Sequence, residues 1–453
     1  MSISTILILG GGIAGIASAL ALSKELTPLV PDLKITIYEL RDIPSTSGGA
    51  INLTPVAQRH LDQLGVIAEL DHMGPDAGVE VNAIEYYSTV TGRKLGCVDF
   101  AGKHGRGFGG YRGRRCMRIA LQLAMMAAVE KCPNVSFEFG KKVVGGIETE
   151  KRVTIYFDDG SSAKGDLALG CDGVHSATRT KIVDPERLSE YTGISFIQST
   201  MKASLVTSPM HFETTALNKS RRGALMTTFC DRDKEDLFVA ALAEVDAQNL
   251  AETHWKSYWA DESSRAKVMA VKRLRDDLRG RFGEAMQPCI REIIEKCPDW
   301  FLYPVYQIQP GGKWFTERII LLGDAAHAMP PRDESAAYAL DDAILFARIL
   351  SSYVYEPLTS AFRVYESIRR KPIDDAYRDA SIHWSQHKDS SSRSGLSARI
   401  NEWFMPWSMR ARAKKAKHGA WVFDARSVNI PSPAARSWKI ESWSDLGSTM
   451  SVQ

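Results

Sequence analysis

The sequence predicts an α/β protein organised around a parallel sheet, and three strand-like runs support this prediction. Two of them, 5–9 and 34–39, lie close together near the N-terminus, and the third, 318–324, has the same character much further along the chain. Apolar runs without strict alternation are typical of strands buried on both faces of a parallel sheet. Each run ends at glycine or a carboxylate, which predicts a turn at the carboxyl end of each strand.

Composition places the chain among soluble globular proteins. Its 453 residues are enough for two or three domains, and 44% of them are hydrophobic and 25% charged. The formal net charge of +3 is too small to favour nucleic acid as a partner. No apolar stretch reaches the roughly 18 residues of a spanning helix, and the first run lacks the basic region of a signal peptide. A cytoplasmic location is therefore expected.

The cysteines give no sign of a structural cross-link. There are seven of them, scattered along the chain and without a C-x-x-C pair. Neither a disulfide framework nor a metal site is predicted, and a reducing compartment fits.

The first run leads into a glycine motif with nucleotide-binding spacing. Gly10, Gly12 and Gly15 form G-x-G-x-x-G, and Ala14 lies within it. The first glycine permits the tight turn, the second lets backbone approach a pyrophosphate, and the third lets the following helix pack on the strand. That helix directs unpaired N–H groups at the phosphates. Glu39 ends the next strand, where a Rossmann unit places its ribose-binding acid. A purely structural glycine turn is the alternative interpretation.

Helical and strand patterns alternate through the first half of the chain. A glycine- and arginine-rich loop covers 102–113. The other predicted elements are a helix over 56–70, strand-like sequence over 79–100, a helix opened by Arg118, strands over 135–139 and 153–157 with a hairpin turn at 158–160, and a buried strand over 166–173.

The second half has mixed signals. Strands over 226–229 and 237–242 could line a pocket, and helices are predicted over 336–352 and 361–379. Aromatic residues at 403–407 precede a basic stretch, 410–417. This stretch predicts either a basic amphipathic helix in peripheral contact with a membrane or a helix docked on the body by its aromatics.

Two further motifs follow the glycine fingerprint in a fixed order. The first is the Asp172-Gly173 turn, with Ser176 and Arg179 after it. The second is Gly-Asp-Ala-Ala-His at 323–327, followed by Pro330-Pro331. An Asp-Gly pair alone indicates only a turn, but the three motifs together are specific.

In these motifs the chain resembles the FAD-dependent aromatic hydroxylases, the single-component flavoprotein monooxygenases typified by 4-hydroxybenzoate and salicylate hydroxylases. The resemblance covers roughly residues 4–375 and implies an α/β fold: a Rossmann-type FAD-binding domain, an inserted mixed-sheet substrate domain and a helical C-terminal region. The implied boundaries are 1–75, 105–180 and 305–375 for the FAD-binding domain, 76–104 and 181–304 for the substrate domain, 376–430 for the helical region and 431–453 for a disordered tail.

The resemblance also implies roles for individual residues. Glu39 would bind the adenosine ribose, Gly12 and Gly15 the pyrophosphate, Arg118 the flavin phosphates, and Asp324 the ribityl chain. Asp172 would serve both FAD and NAD(P)H, whereas His327 is expected to fix its turn. The full set of predicted cofactor-binding residues is Gly10, Gly12, Ala14, Gly15, Glu39, Arg41, Gly49, Arg118, Asp172, Gly173, Gly323, Asp324, Pro330, Ala336 and Ala337.

The chain departs from the family pattern after the proline pair. Most relatives have a Gly-Gln-Gly-type loop where this sequence has Arg332-Asp333-Glu334-Ser335. A carboxylate facing the flavin N1 edge would oppose the charge of reduced flavin, lowering its potential or loosening its binding. If Asp333 instead caps the helix beginning near Ser335, the change has no such effect.

The resemblance implies that NADPH or NADH reduces FAD and that a flavin hydroperoxide then hydroxylates or epoxidises an electron-rich small molecule. The substrate would be an aromatic, polyketide, indole or terpenoid compound of specialised metabolism, with O2 as co-substrate. No acid or base can be assigned, because His211, His254 and Tyr258 are candidates by chemistry alone. Oxidase or redox-neutral cyclisation chemistry on the same scaffold, and a non-catalytic binding protein, remain alternatives.

Overall fold

The computed structural model describes residues 3–45, 49–245, 265–330, 335–388 and 424–433. The strands are β1 Thr5–Leu9, β2 Lys34–Tyr38, β3 Ala50–Leu53, β4 Val79–Val81, β5 Ala83–Ser88, β6 Lys94–Asp99, β7 Gly113–Met117, β8 Val135–Glu138, β9 Val143–Glu148, β10 Val153–Phe157, β11 Ser162–Gly165, β12 Leu167–Gly170, β13 Glu190–Lys202, β14 Thr215–Ser220, β15 Gly223–Phe229, β16 Asp236–Glu244, β17 Phe301–Gln307 and β18 Ile319–Leu321. The helices are α1 Ile13–Leu26, α2 Pro55–Gln63, α3 Val66–His72, α4 Arg118–Glu130, α5 Arg265–Phe282, α6 Pro288–Lys296, α7 Asp324–His327, α8 Ser335–Ser352 and α9 Leu358–Lys388.

A five-stranded parallel sheet in the order β18-β12-β1-β2-β8 forms the centre of the nucleotide-binding unit. Leu7 of β1 lies between Thr36 of β2 and Ala168 of β12 in the register. Residues 6–9 are at most 1% exposed, so the apolar run is buried on both faces, as predicted. The α/β class is therefore confirmed. The antiparallel sheet β11-β10-β9 lies in the connection from β8 to β12.

A seven-stranded mixed sheet, β17-β13-β16-β15-β14-β5-β6, forms the second unit. Its β5–β14 pair is parallel, and the remaining pairs are antiparallel. Both sequence segments assigned to the substrate domain contribute strands to it, although their exact boundaries stay a prediction. On one face, Ile197, Leu225 and Val239 share a buried cluster with Leu278 of α5 and Ile293 of α6. The two strands predicted over 226–229 and 237–242 are adjacent in this sheet as β15 and β16.

The structure corrects two local expectations. The single helix predicted over 56–70 is two helices, because Gly65 between them has φ +78, a left-handed conformation that ends α2. The strand-like stretch 79–100 is divided between sheets: β4 pairs with β7 in the small sheet β3-β7-β4, whereas β5 and β6 join the seven-stranded sheet. The hairpin turn at 158–160 is present, with Gly160 at φ +81.

The C-terminal part is described only as far as 388 and again over 424–433. Arg348 of α8 donates through Nη1 to the Ala425 carbonyl at 2.5 Å, and Tyr353 donates its hydroxyl to the Pro431 carbonyl at 2.7 Å. The aromatic and basic stretch 403–417 and residues 434–453 lie outside the described residues, so the two interpretations of the basic helix stay predictions. In the described part of the chain, no helix has the length and apolarity needed to cross a bilayer.

Candidate functional site

The three predicted motifs meet at one edge of the parallel sheet. Because β1, β12 and β18 run in the same direction, their carboxyl ends share that edge, where open α/β sheets bind ligands. A Cβ added to Gly10 would lie 2.9 Å from the Cα atom of Asp172. A Cβ added to Gly323 would lie 3.0 Å from the Cβ of Ala14, at the start of α1. The structure therefore brings the fingerprint, the Asp-Gly turn and the Gly-Asp turn into contact.

The glycines of the fingerprint have distinct steric roles. Gly10 has φ +112, and a Cβ there would come within 2.5 Å of the Cys171 carbonyl oxygen. A Cβ on Gly15 would come within 1.9 Å of the Gly10 oxygen, so α1 can approach β1 only without a side chain. Gly12 is exposed, and a Cβ there would meet no atom within 4 Å.

This open space lies directly before the N-terminus of α1, whose N-cap residue Gly12 supplies no side-chain hydrogen bond. The first N–H groups of α1 are therefore presented to that space together with the positive end of the helix dipole. Phosphate oxygens suit these donors and the open space beside Gly12, which makes the cradle suitable for a dinucleotide.

Glu39 is buried behind the fingerprint rather than extended into solvent. It is 7% exposed, and its Oε2 accepts a 2.7 Å hydrogen bond from Gly11 N while Oε1 accepts one of 3.0 Å from Arg41 N. Gln122 of α4 fixes the same loop from another side by donating through Nε2 to the Gly11 carbonyl at 3.0 Å. Sequence reasoning missed Gln122, because no local motif marks it. Each carboxylate oxygen of Glu39 keeps a further lone pair for a ligand hydroxyl.

Asp172 shapes its own turn. Its Oδ1 accepts from the Ser176 hydroxyl at 2.5 Å, and its Oδ2 accepts from the backbone N and the hydroxyl of Thr178, both at 2.9 Å. Burial raises the pKa of this carboxyl, and the three donors oppose the rise. Gly173 follows at φ +76. Both carboxylate oxygens of Asp172 accept hydrogen bonds within the turn. Contact of Asp172 with a nucleotide stays a prediction.

Arg179 joins the second motif to the third. It is fully buried, and its guanidinium donates to the carbonyl oxygens of Val174 at 2.7 Å, Arg187 at 2.7 Å and Ala325 at 2.8 Å. Val174 belongs to the Asp-Gly turn and Ala325 to the Gly-Asp turn. The arginine therefore fixes the spacing of two motifs that are far apart in sequence.

Asp324 starts the short helix α7 and is exposed at the sheet edge. Protein nevertheless surrounds it on most sides, so desolvation raises the pKa of its carboxyl while the positive charges of His327 and Arg118 oppose that rise. Arg118 reaches the same region from the start of α4, where its backbone N donates to the Gly49 carbonyl at 3.0 Å.

A buried charge network holds the Gly-Asp turn from behind. Asp342 Oδ2 accepts from Gly323 N at 2.9 Å and from His327 Nε2 at 2.6 Å, and its Oδ1 accepts from Arg369 Nε at 2.5 Å. Arg369 Nη2 also lies 3.4 Å from Asp341 Oδ2. His327 thus fixes its turn, as expected. The signal that could have revealed the network is the Asp341-Asp342 pair inside the otherwise apolar α8.

The remaining predicted residues differ in their surroundings. Gly49 contacts the second unit, since a Cβ there would come within 2.0 Å of the Phe238 ring. Pro330, Ala336 and Ala337 are buried, whereas Arg41 is exposed. Residues 331–334, including the Asp333-Glu334 replacement, lie outside the described residues.

Of the three acid–base candidates, only His211 is described, because His254 and Tyr258 lie outside the described residues. Its Nδ1 is 3.2 Å from Cys289 Sγ, and its Nε2 is 2.7 Å from Asn218 Oδ1. Burial lowers the pKa of His211. Both ring nitrogens are used inside the second unit, which favours a structural role.

Comparison with known proteins agrees with this geometry. A family model described as an FAD binding domain matches residues 4–371. The chain is 24% identical to 6-hydroxynicotinate 3-monooxygenase of Bordetella bronchiseptica, over 80% of this chain and 87% of the relative. It is 23% identical to the FAD-dependent monooxygenase ntnJ of a Nectria species, over 93% of this chain and 94% of the relative. A salicylate hydroxylase substrate complex has the same fold, with a TM-score of 0.70 at 20% identity, covering 95% of this chain and 99% of that one.

Proposed function

The chain belongs to the FAD-dependent aromatic hydroxylases, a family of flavoprotein monooxygenases with FAD as cofactor, and we propose that it uses NAD(P)H and O2 to hydroxylate or epoxidise an electron-rich small molecule. The observation that carries the proposal is the meeting of three strand-end turns around the open cradle at Gly12. Reduction by NAD(P)H is typical of the family. Specialised metabolism is the proposed context.

The residues on this edge suit an extended FAD molecule. We assign the pyrophosphate to Gly12 and the N-terminus of α1, the adenosine ribose to Glu39, the phosphates also to Arg118, and the ribityl chain to Asp324. When bound, FAD supplies electron transfer from NAD(P)H and the transfer of one oxygen atom from O2 to the substrate. The proposal also includes the route of oxygen transfer that the resemblance implies.

The protein's own contribution is to bind, orient and exclude water. The donors at the start of α1 and the fixed Gly-Asp turn are preorganised, so nucleotide binding requires little ordering of these groups. The seven-stranded sheet meets the nucleotide-binding unit where Phe238 contacts Gly49. A substrate held between the two units would be shielded from solvent, which limits side reactions with water.

The test is made on the purified full-length protein. We expect a yellow protein whose visible spectrum is that of bound flavin, and NAD(P)H oxidation that an aromatic or polyketide compound accelerates. With isotopically labelled O2, the product should carry one labelled oxygen atom. A protein that cannot be reconstituted with FAD, or turnover that leaves no labelled oxygen in the product, would refute the proposal. Parallel assays with NADPH and NADH identify the preferred reductant.

A second candidate function rests on the Asp333-Glu334 replacement, which places two acids where relatives have a neutral loop. It is oxidase or redox-neutral chemistry on the same scaffold. Anaerobic mixing with substrate, in the presence and in the absence of NAD(P)H, separates the two, because a monooxygenase bleaches its flavin only when NAD(P)H is present. Bleaching by substrate alone would support oxidase chemistry, and product formation without bleaching would support redox-neutral chemistry.

A further inference from the structure

The seven-stranded sheet has a second face, opposite the one that packs on α5 and α6. In the strand register, Gln198 of β13 pairs with Ala240 of β16, Ala240 with Met226 of β15, and Met226 with Leu217 of β14. Their neighbours in sequence, such as Ile197 and Leu225, are buried against the two helices. Side chains alternate along a strand, so these four residues share the opposite face, together with Phe196 two residues before Gln198. We call Phe196, Gln198, Leu217, Met226 and Ala240 the cleft face.

The cleft face is directed at the nucleotide-binding unit. Ala240 forms a buried cluster with Phe238 and Cys230, and Ala50 of β3, Met117 of β7, Phe196 and Met226 pack against it. Four of the five cleft-face residues are only half-buried, and Ala240 is the exception. They therefore line a space that the described residues leave partly open next to the nucleotide site.

The middle of this face is uncharged. Its charged positions on β13 to β16 are at strand ends, where Lys202 pairs with Asp236 at 2.8 Å and where Lys219 and Glu244 lie. Thr215 and Thr228 also face this side, and their hydroxyl groups form a 2.7 Å hydrogen bond with each other. A carboxylate buried against these four strands would lose its hydration without gaining a cationic partner from them.

Gln198 is the polar exception. Its side chain is half-buried, and among the described residues no hydrogen-bond partner engages its amide. The amide supplies both a donor and an acceptor, so it can bind either a carbonyl or a hydroxyl group. Phe196, two residues earlier on the same strand, and Met226, beyond Ala240 in the register, offer apolar contact for the rest of a ligand.

We propose that the substrate is an uncharged, largely apolar molecule and that Gln198 is a specificity-determining residue that binds its carbonyl or hydroxyl group. This inference rests on the proposed monooxygenase function and concerns the same site. An uncharged substrate would distinguish this chain from the relatives named for 6-hydroxynicotinate and salicylate, because those compounds carry a carboxylate.

The first test compares matched ligands on the FAD-bound protein. The probes are two matched pairs: 3-hydroxybenzamide with 3-hydroxybenzoate, and salicylamide with salicylate. Binding is measured by flavin difference spectra and by stimulation of NAD(P)H oxidation. We expect the amide of each pair to bind at least about tenfold more tightly, because the carboxylate is desolvated against a cleft face that offers it no cation. Equal or tighter binding of the carboxylates would overturn the proposal, and so would a failure of both amides to perturb the flavin.

The second test changes the residue. Gln198→Leu should weaken binding of 3-hydroxybenzamide about tenfold, through loss of hydrogen bonding, while leaving toluene, which offers no such group, unaffected. Gln198→Arg should shift preference towards 3-hydroxybenzoate. The control is Thr200→Val, two residues along the same strand and exposed. Equal effects of Gln198→Leu on both ligands, or unchanged preference in Gln198→Arg, would contradict the assignment.

The two proposals fail in different ways. Protein without flavin, or without oxygen transfer to any compound, would overturn the monooxygenase function. A working monooxygenase that prefers carboxylates, and whose preference does not depend on Gln198, would overturn only the substrate inference.

Discussion

Arg179 Nη1 donates a 2.8 Å hydrogen bond to the carbonyl oxygen of Ala325, 146 residues away in sequence. The same guanidinium binds the Val174 carbonyl, so one buried side chain sets the distance between the Asp-Gly turn and the Gly-Asp turn. Arginine suits this position because its planar group offers several donors in fixed directions. The proposed groove thus depends on a residue that need not contact FAD.

Arg179→Met should separate the two turns. The substitution leaves up to three buried carbonyl groups without a donor, and we expect a loss of about 3 kcal/mol in the free energy of unfolding. Urea denaturation measures that loss, and flavin fluorescence measures FAD release, which should become faster. Arg378→Met is the matched control, because its side chain is 68% exposed. Unchanged stability and FAD retention in Arg179→Met would show that the turns are held by other contacts.

Adding a methyl group should affect FAD affinity alone at Gly12 but also protein stability at Gly15. Gly12→Ala places its Cβ in empty space at φ −83, so the apoprotein should keep its melting temperature while FAD affinity falls about tenfold. Gly15→Ala forces its Cβ against the Gly10 oxygen, so the melting temperature should fall as well. Differential scanning fluorimetry of the apoproteins and flavin titration separate the effects. If Gly12→Ala bound FAD as tightly as wild type, the open space at Gly12 would not be part of the FAD site.

The parts of the site that sequence reasoning predicted are those encoded locally. A G-x-G-x-x-G run or Gly323-Asp324 carries its own turn geometry, and strand direction then brings the turns to one edge. Gln122 and Arg369 were not predicted, because each acts on a motif remote in sequence and carries no local signal of its own. The same limitation explains the division of 79–100 between two sheets, since short strand patterns do not reveal their pairing partners.

Asp342→Asn should destabilise the network behind the Gly-Asp turn. The substitution leaves the Arg369 guanidinium buried opposite a neutral amide, and breaking a buried ion pair in this way costs about 3 kcal/mol. It also weakens the acceptor for Gly323 N, so FAD should dissociate faster. Urea denaturation of the holoprotein and apoprotein measures both effects. Asp32→Asn, an exposed carboxylate, is the control. A variant as stable as wild type would show that the ion pair contributes no net stability.

The stability contributed by Asp342 should depend on pH in one direction. Burial alone would raise its pKa, but the positive charges of Arg369 and His327 hold the pKa well below the ordinary value for aspartate. A carboxyl whose pKa is lower in the folded state binds more protons when unfolded. Its contribution is therefore complete above the unfolded pKa of about 4 and is lost as pH falls towards the folded pKa. The difference in unfolding free energy between wild type and Asp342→Asn should accordingly shrink as the pH falls below about 4. A difference that grows on acidification would mean that the carboxyl is protonated in the native protein.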